Sequence, residues 1–437
     1  MWSAYGRRAA GGRSSVRGGP SMHTALMGLL LSLLVVSACS PTTHGGHGGD
    51  RQPIVAGVPT GPVASPVPRL LGPDAEAALL VRNMSLDDKL GQMIVVQFTD
   101  TTYTPQQAAM VQPFHPGGVI LYGYAMGTAQ QVRDLLAGSQ HDSLIPMFTF
   151  TDLEGGVVDR LAPYVGDHLS APDMAASGNP VVARRTGGQV AHDMLSFGFN
   201  ADLAPDVDVA VVMGPDQWGR TFGSTPAPVI TYAGAWLQGL QQGGVVGCLK
   251  HFPGLGAATT DAHVDLPVIN RSRQQFEASE LAPYRALIAS GNVYMVMSTD
   301  ELVPALDPNM PAELSQPIIT GILRDELHFG GVAITDALYM AGVADKWSFS
   351  QAAVLAIEAG NDMIMAPWQP AMVEGILAGL KQALAHGDLS MSQIDASVRR
   401  ILTLKIRFHL LPAMASSNRG DGLDAATSLL ADADLPR

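Results

Sequence analysis

From about residue 75 onward, short apolar runs alternate with longer stretches in which apolar residues return every three or four positions. The runs are residues 93–98, 118–121, 146–150, 199–203, 245–249, 293–297, 331–335 and 362–365. They lack the regular apolar–polar alternation of a strand with one wet face. Each therefore predicts a strand buried on both faces, as in a parallel sheet. The stretches between them, among them 128–139, 181–196, 229–242, 273–290, 315–327 and 349–360, carry the wider spacing of amphipathic helices. Ser85, three residues ahead of Asp88, predicts a capped helix start. Eight strand–helix alternations predict a single (β/α)8 barrel, an α/β fold, over residues 75–412, with a doubly wound open sheet as the alternative. Segments 371–385 and 390–408 predict the helices that close the ring, and residues 413–437 a polar tail.

The first 74 residues follow different rules. Four arginines (Arg7, Arg8, Arg13 and Arg17) precede an apolar core from Ala25 to Val36, the pattern of an export signal and too short for a confident membrane span. The core ends in Val36-Ser37-Ala38-Cys39, which resembles a bacterial lipobox. That resemblance implies a signal peptide over 1–38, lipid on Cys39, and an extracytoplasmic, membrane-anchored protein. Met22 is a second candidate start, because 21 residues are long for the basic region of a signal. Residues 39–74, rich in Gly, Pro, Ser and Thr, read as a flexible linker. Cys248, the only other cysteine, lies inside an apolar run and reads as core, so an acylated Cys39 leaves no disulfide to form.

Composition narrows the class. Hydrophobic residues make up 47 % and charged residues 15 % of the 437-residue chain, enough for a large core. The net charge is −13, and removing the four N-terminal arginines takes the remainder to −17. Nucleic acid is excluded as a partner, since phosphate binding needs clustered Lys and Arg. No Gly-rich phosphate loop and no H-E-x-x-H spacing occurs, so neither a cofactor nor a metal is expected. A monomer is the expected state.

In a barrel the C-terminal ends of the strands share one cavity, so the residues that follow each run are the candidates for chemistry. The fifth run leads into Lys250-His251-Phe252-Pro253-Gly254-Leu255-Gly256, with Asp261 and His263 shortly after. Asp152, Glu154 and Arg160 follow the third run, while Asp206, Asp208 and Arg220 follow the fourth. Ser298, Thr299 and Asp300 follow the sixth, and Asp336 the seventh. A rim dense in carboxylates, Arg, Lys and His, with no cysteine set, suits a hydroxyl-rich ligand. Glu154 reads as support for its Gly-Gly turn, Asp206 and Asp208 as stabilisers of the rim, and His192 and His328 as packing or surface positions in helices.

These motifs resemble glycoside hydrolase family 3, in its bacterial β-N-acetylglucosaminidase branch. The markers are Asp87-Asp88-Lys89-Leu90-Gly91-Gln92-Met93, Gly117 to Leu121, Asp152-Leu153-Glu154-Gly155-Gly156 with Arg160, Arg220-Thr221-Phe222, the Lys250 cluster, and Ile334-Thr335-Asp336 with Met340. The resemblance spans roughly residues 86–406. It implies retaining hydrolysis of terminal β-N-acetylglucosamine, with peptidoglycan-derived fragments as substrate. Asp336 would be the nucleophile and His263, oriented by Asp261, the acid/base. Asp152, Arg160, Arg220, Lys250 and His251 would hold the sugar. Three positions depart from the pattern: Leu255 replaces a histidine, Ser298-Thr299-Asp300 stands where relatives often carry one, and Ala337 replaces a second aspartate. The alternatives are a β-glucosidase or phosphorylase of the same family, or a sugar-binding lipoprotein with an impaired site.

Overall fold

The computed structural model describes residues 71–214 and 217–411. The signal peptide, Cys39, the linker to residue 70 and the tail from residue 412 lie outside the described residues. All the apolar runs become strands of one closed parallel barrel: β1 (Ile94–Phe98), β2 (Gly118–Leu121), β3 (Phe148–Thr151), β4 (Ala201–Asp202), β5 (Val246–Phe252), β6 (Met295–Ser298), β7 (Val332–Ala337) and β8 (Met363–Met365). Each strand pairs with its sequence neighbours, and β8 closes on β1 through Ile94–Ile364 and Val95–Met365. This is the predicted (β/α)8 architecture.

The helices form the outer ring, and their starts follow local rules. The Ser85 hydroxyl accepts from the Asp88 N–H at 3.1 Å and so caps the helix Leu86–Gln92. Ser/Thr–x–x–Gln boxes start the helices Ala129–Asp142, Arg273–Ala278, Phe349–Ala359 and Met391–Arg407. The last of these buries Lys405 completely, its Nζ donating to Gln92 Oε1 at 2.7 Å. Burial pushes that amine well below its ordinary range. Cys248 is fully buried in β5, as expected of a core residue. Among the described residues no helix is long and apolar enough to cross a membrane.

Three local expectations fail for identifiable reasons. The fourth strand is two residues long instead of five, because side chains take over part of its hydrogen bonding. Asn200 Oδ1 accepts from the Thr149 N–H, and Asp202 Oδ1 from the Leu153 N–H, each at 2.9 Å. The helix expected over 273–290 breaks into Arg273–Ala278 and Leu281–Ala289. At the break Glu280 turns inward, fully buried, with Arg271 at 3.1 Å. His328 lies past the π-helix Pro317–Glu326 with φ of 55°, in the left-handed region, and not within a helix. His192 is on a helix, exposed.

Candidate active site

The polar groups gather at the C-terminal ends of the strands, and Glu154 is at their centre. It lies in a short hairpin (Leu153–Gly155 with Val158–Asp159) inserted after β3. Its buried carboxylate accepts from Arg220 Nε at 2.9 Å and Nη2 at 2.8 Å, a two-pronged pair. Lys250 Nζ, from β5, lies 2.7 Å from Glu154 Oε1 and 3.0 Å from Asp152 Oδ1. Burial alone would push Glu154 upward, but Arg220 and Lys250 outweigh it and hold the carboxyl well below its usual range. Burial opposes the charge on Lys250 as well, and Asp152 and Glu154 more than restore it. The sequence had offered Glu154 as mere turn support. The structure makes it the anion that lets two cations stay charged in the barrel floor.

His251 follows on β5 and pairs with Asp208, Nδ1 to Oδ2 at 2.7 Å. Burial lowers its proton affinity, yet Asp208 reverses this, and the net shift is upward. Asp208 Oδ1 also accepts from the Leu255 N–H at 2.7 Å. Glu301 Oε1 accepts from the Gly254 N–H at 3.2 Å, and the Glu280 side chain packs against Gly254. Two carboxylates, Asp208 and Glu301, and the aliphatic part of Glu280 thus fix the start of the loop after β5. Leu255, the apolar substitute for a histidine, is buried there.

Asp336 ends β7 and is half-buried. Its Oδ1 accepts from the Ala337 N–H at 2.7 Å, and its Oδ2 from Thr299 Oγ1 at 3.4 Å. Tyr122 and Tyr339 interact through their hydroxyls beside it. Burial raises the Tyr122 hydroxyl most, and Tyr339, Asp152 and Asp336 add to the shift. Tyr339 is pushed up to about 12 by burial. The sequence reading missed both tyrosines, though their places just after strand runs were a usable signal.

The remaining expected residues stand further out. Asp261 Oδ1 accepts from the His263 backbone N–H and faces its Nδ1, both at 2.9 Å, so the dyad forms as the D-x-H spacing allows. It is exposed, with side-chain accessibilities of 38 % for Asp261 and 67 % for His263. Among the described residues no hydrogen bond joins His263 to Asp336 or to the Glu154 cluster. Arg160, past the hairpin, runs its aliphatic stem near Gly123, and its Nε has no hydrogen-bond partner among the described residues. Asp159 and Asp193 clasp His168 at 2.9 and 3.0 Å and pin the hairpin that carries this set.

Residues 85–404 match the Glycosyl hydrolase family 3 N terminal domain. The chain belongs to glycosyl hydrolase family 3. It is 33 % identical over 390 residues to beta-hexosaminidase LpqI of Mycobacterium tuberculosis, covering 86 % of this chain and 96 % of that protein. It is 29 % identical to beta-hexosaminidase A of Pseudoalteromonas piscicida, over 72 % of this chain and 57 % of that one. Its fold resembles a family 3 beta-N-acetylglucosaminidase from Paenibacillus, with a TM-score of 0.71 and 31 % identity over 79 % of this chain and 68 % of the other. The structure of M. tuberculosis LpqI gives a TM-score of 0.68 at 33 % identity, over 78 % and 98 %. The protein is accordingly a glycoside hydrolase.

Among the described residues of the family 3 barrel, one set could present donors to a cation: Asp206, Asp208 and His251, whose ligand atoms lie within 4.8 Å of one another. Cationic side chains lie beside both carboxylates. Asp208 pairs with His251, and Arg220 Nε lies 3.9 Å from Asp206 Oδ2. Burial and then Asp208 push the Asp206 carboxyl well above its usual range, toward the neutral form. Asp206 Oδ2 has no hydrogen-bond partner among the described residues.

Proposed function

We propose that the protein is a retaining exo-β-N-acetylglucosaminidase acting on terminal N-acetylglucosamine of peptidoglycan-derived fragments. The observation that carries this reading is the placement of Asp336. It is fixed near the end of β7, its carboxylate held by the Ala337 N–H and Thr299. Rigid placement of a carboxylate below the anomeric carbon is what a double displacement requires.

Asp336 attacks the anomeric carbon while the glycosidic C–O bond breaks. The His263 imidazolium gives its proton to the leaving oxygen. Neutral His263 then takes a proton from water, whose oxygen displaces Asp336 and restores the carboxylate. Asp261, 2.9 Å from Nδ1, orients the ring so that Nε2 performs both transfers. Asp152, Lys250, His251, Arg220 and Arg160 hold the sugar hydroxyls. Because a neutral imidazole repels anions less than a carboxylate would, phosphate is a second acceptor for the same intermediate. The beta-hexosaminidase names of the relatives support the amino-sugar substrate. Lipid on Cys39 would place the enzyme on the extracytoplasmic face of the cell membrane, beside such fragments.

The test is incubation with purified muropeptides, in water and in phosphate buffer, with mass spectrometry of the released sugar. Free N-acetylglucosamine is expected, lost in Asp336→Ala. Release of glucose in its place from a matched panel would favour the β-glucosidase reading.

A further inference from the structure

The rim of the cavity is not uniform around the ring. The ends of β3, β4 and β5 lead into the ionic set, whereas the ends of β7, β8, β1 and β2, consecutive in the barrel, lead into aromatic rings. Tyr122 follows β2 directly, and its ring centroid lies 6.0 Å from that of Tyr124 in the turn Gly123–Ala125. Tyr339 follows β7, and its ring meets that of Trp368, which follows β8, at 5.5 Å and close to a right angle. The two pairs join through a hydrogen bond between the Tyr122 and Tyr339 hydroxyls. Backbone contacts hold the array in place. The Leu338 N–H donates to the Met365 carbonyl at 3.2 Å, the Gln97 N–H to the Pro367 carbonyl at 2.8 Å, and the Ala125 N–H to the Tyr122 carbonyl at 2.8 Å. Gln97 Nε2, from β1, donates to the Tyr124 hydroxyl, and Phe349 backs Trp368 edge-on at 6.2 Å. Even so, Tyr124 is 54 % and Tyr339 36 % exposed. Large rings held this firmly and left in solvent mark a binding surface.

We propose that Tyr122, Tyr124, Tyr339 and Trp368 form an aglycone subsite that binds a second pyranose ring, so that the enzyme prefers oligosaccharides to simple alkyl glycosides. The inference rests on the function proposed above and names the leaving group of that reaction. Exposure orders the two sugars. The Lys250 and Asp152 side chains are only 3 % and 14 % accessible, so the terminal sugar goes deepest. The tyrosines stand further out, on the way that the rest of the substrate must take. Arg160, proposed to hold the terminal sugar, marks the boundary: its Cδ lies 3.7 Å from where a Cβ on Gly123 would be, between the two tyrosines. Asp336 precedes Tyr339 by three residues, which puts the bond to be cut near the start of the aromatic run. The chemistry fits a pyranose. Its axial C–H groups make an apolar face that packs on a ring, while its hydroxyls meet polar edges. The Tyr124 hydroxyl accepts from Gln97 and so keeps its own proton to donate. A methyl aglycone is too small to cover either ring, and contacts with a leaving group act on kcat/KM only when that group is present.

The experiment uses the full chain and two substrates with the same terminal sugar, N,N′-diacetylchitobiose and methyl β-N-acetylglucosaminide. Release of N-acetylglucosamine gives kcat and KM for each, and the readout is the ratio of kcat/KM for the disaccharide to that for the methyl glycoside. Tyr124→Ala and Trp368→Leu are each expected to lower that ratio about threefold to tenfold, the worth of one aromatic contact, and through KM more than kcat. Tyr124→Phe, which keeps the ring, recovers most of the loss. Thermal melting checks folding, and should Trp368→Leu not fold, the exposed Tyr124 position decides. A folded Tyr124→Ala enzyme with the wild-type ratio overturns the inference and leaves the proposed function standing. An equal loss on both substrates overturns it too, since the ring would then serve the terminal sugar. Wild-type enzyme that releases N-acetylglucosamine from neither substrate removes the proposed function and this inference with it.

Discussion

Lys250 and Glu154 meet at 2.7 Å although 96 positions separate them in the chain, and both side chains are only 3 % accessible. A buried pair of this kind resists the loss of one partner far more than it contributes as a pair, since the survivor is left charged and dry. Glu154→Ala removes a buried carboxylate partner from both Lys250 and Arg220 and leaves Lys250 with Asp152 as its remaining anion among the described residues. It should cost about 3–5 kcal/mol of stability, measured by chemical denaturation. Equal unfolding midpoints for variant and wild type would contradict this account of the barrel floor.

The exposed dyad makes the opposite prediction. His263→Ala should leave the melting temperature unchanged within error, because its side chain is 67 % accessible. It should lower kcat on natural glycosides by about 10²–10⁴-fold, the usual range for a positioned proton donor. Aryl glycosides with acidic leaving groups need less protonation and should suffer much less. A similar loss on both substrate types would argue that His263 is not the acid.

Stability should depend on pH through two buried histidines. Burial opposes charging His168, but Asp159 and Asp193 more than compensate, and Asp208 does the same for His251. Both folded values are raised above the unfolded value of about 6.5. Their contribution is therefore complete below about pH 6.5 and is lost as pH rises through the folded values. Melting temperature should fall on moving from pH 6 toward alkaline pH. His168→Gln should flatten that slope, and an unaltered slope would show that the clasp carries no proton.

Gly254 has φ of 142°, and a Cβ there would lie 2.5 Å from the Cβ of Glu280. Gly254→Ala thus combines a forbidden backbone with a clash against a buried side chain. It should destabilise by about 1–3 kcal/mol and reduce kcat/KM, because the loop bearing Asp261 and His263 starts here. Circular dichroism melts and steady-state kinetics together test this.

Much of this could be read along the chain. Apolar runs without alternation, separated by amphipathic stretches, specify parallel strands and covering helices from local physics alone, and eight of each leave few ways to bury all the strands except a barrel. Motif spacing also reached the D-x-H contact, because residues two apart on a loop meet without help from the rest of the fold. What tertiary structure alone decided was charge partnership. Whether Glu154 is a turn residue or the anion beneath two cations depends on Arg220, 66 positions away, and Lys250. The inward turn of Glu280 inside an expected helix and the edge-on packing of Tyr339 against Trp368 are equally invisible to periodicity. Hydrophobic pattern is a property of neighbours in sequence, whereas the state of a buried carboxyl is set by whichever charges the closed barrel brings within a few ångströms of it.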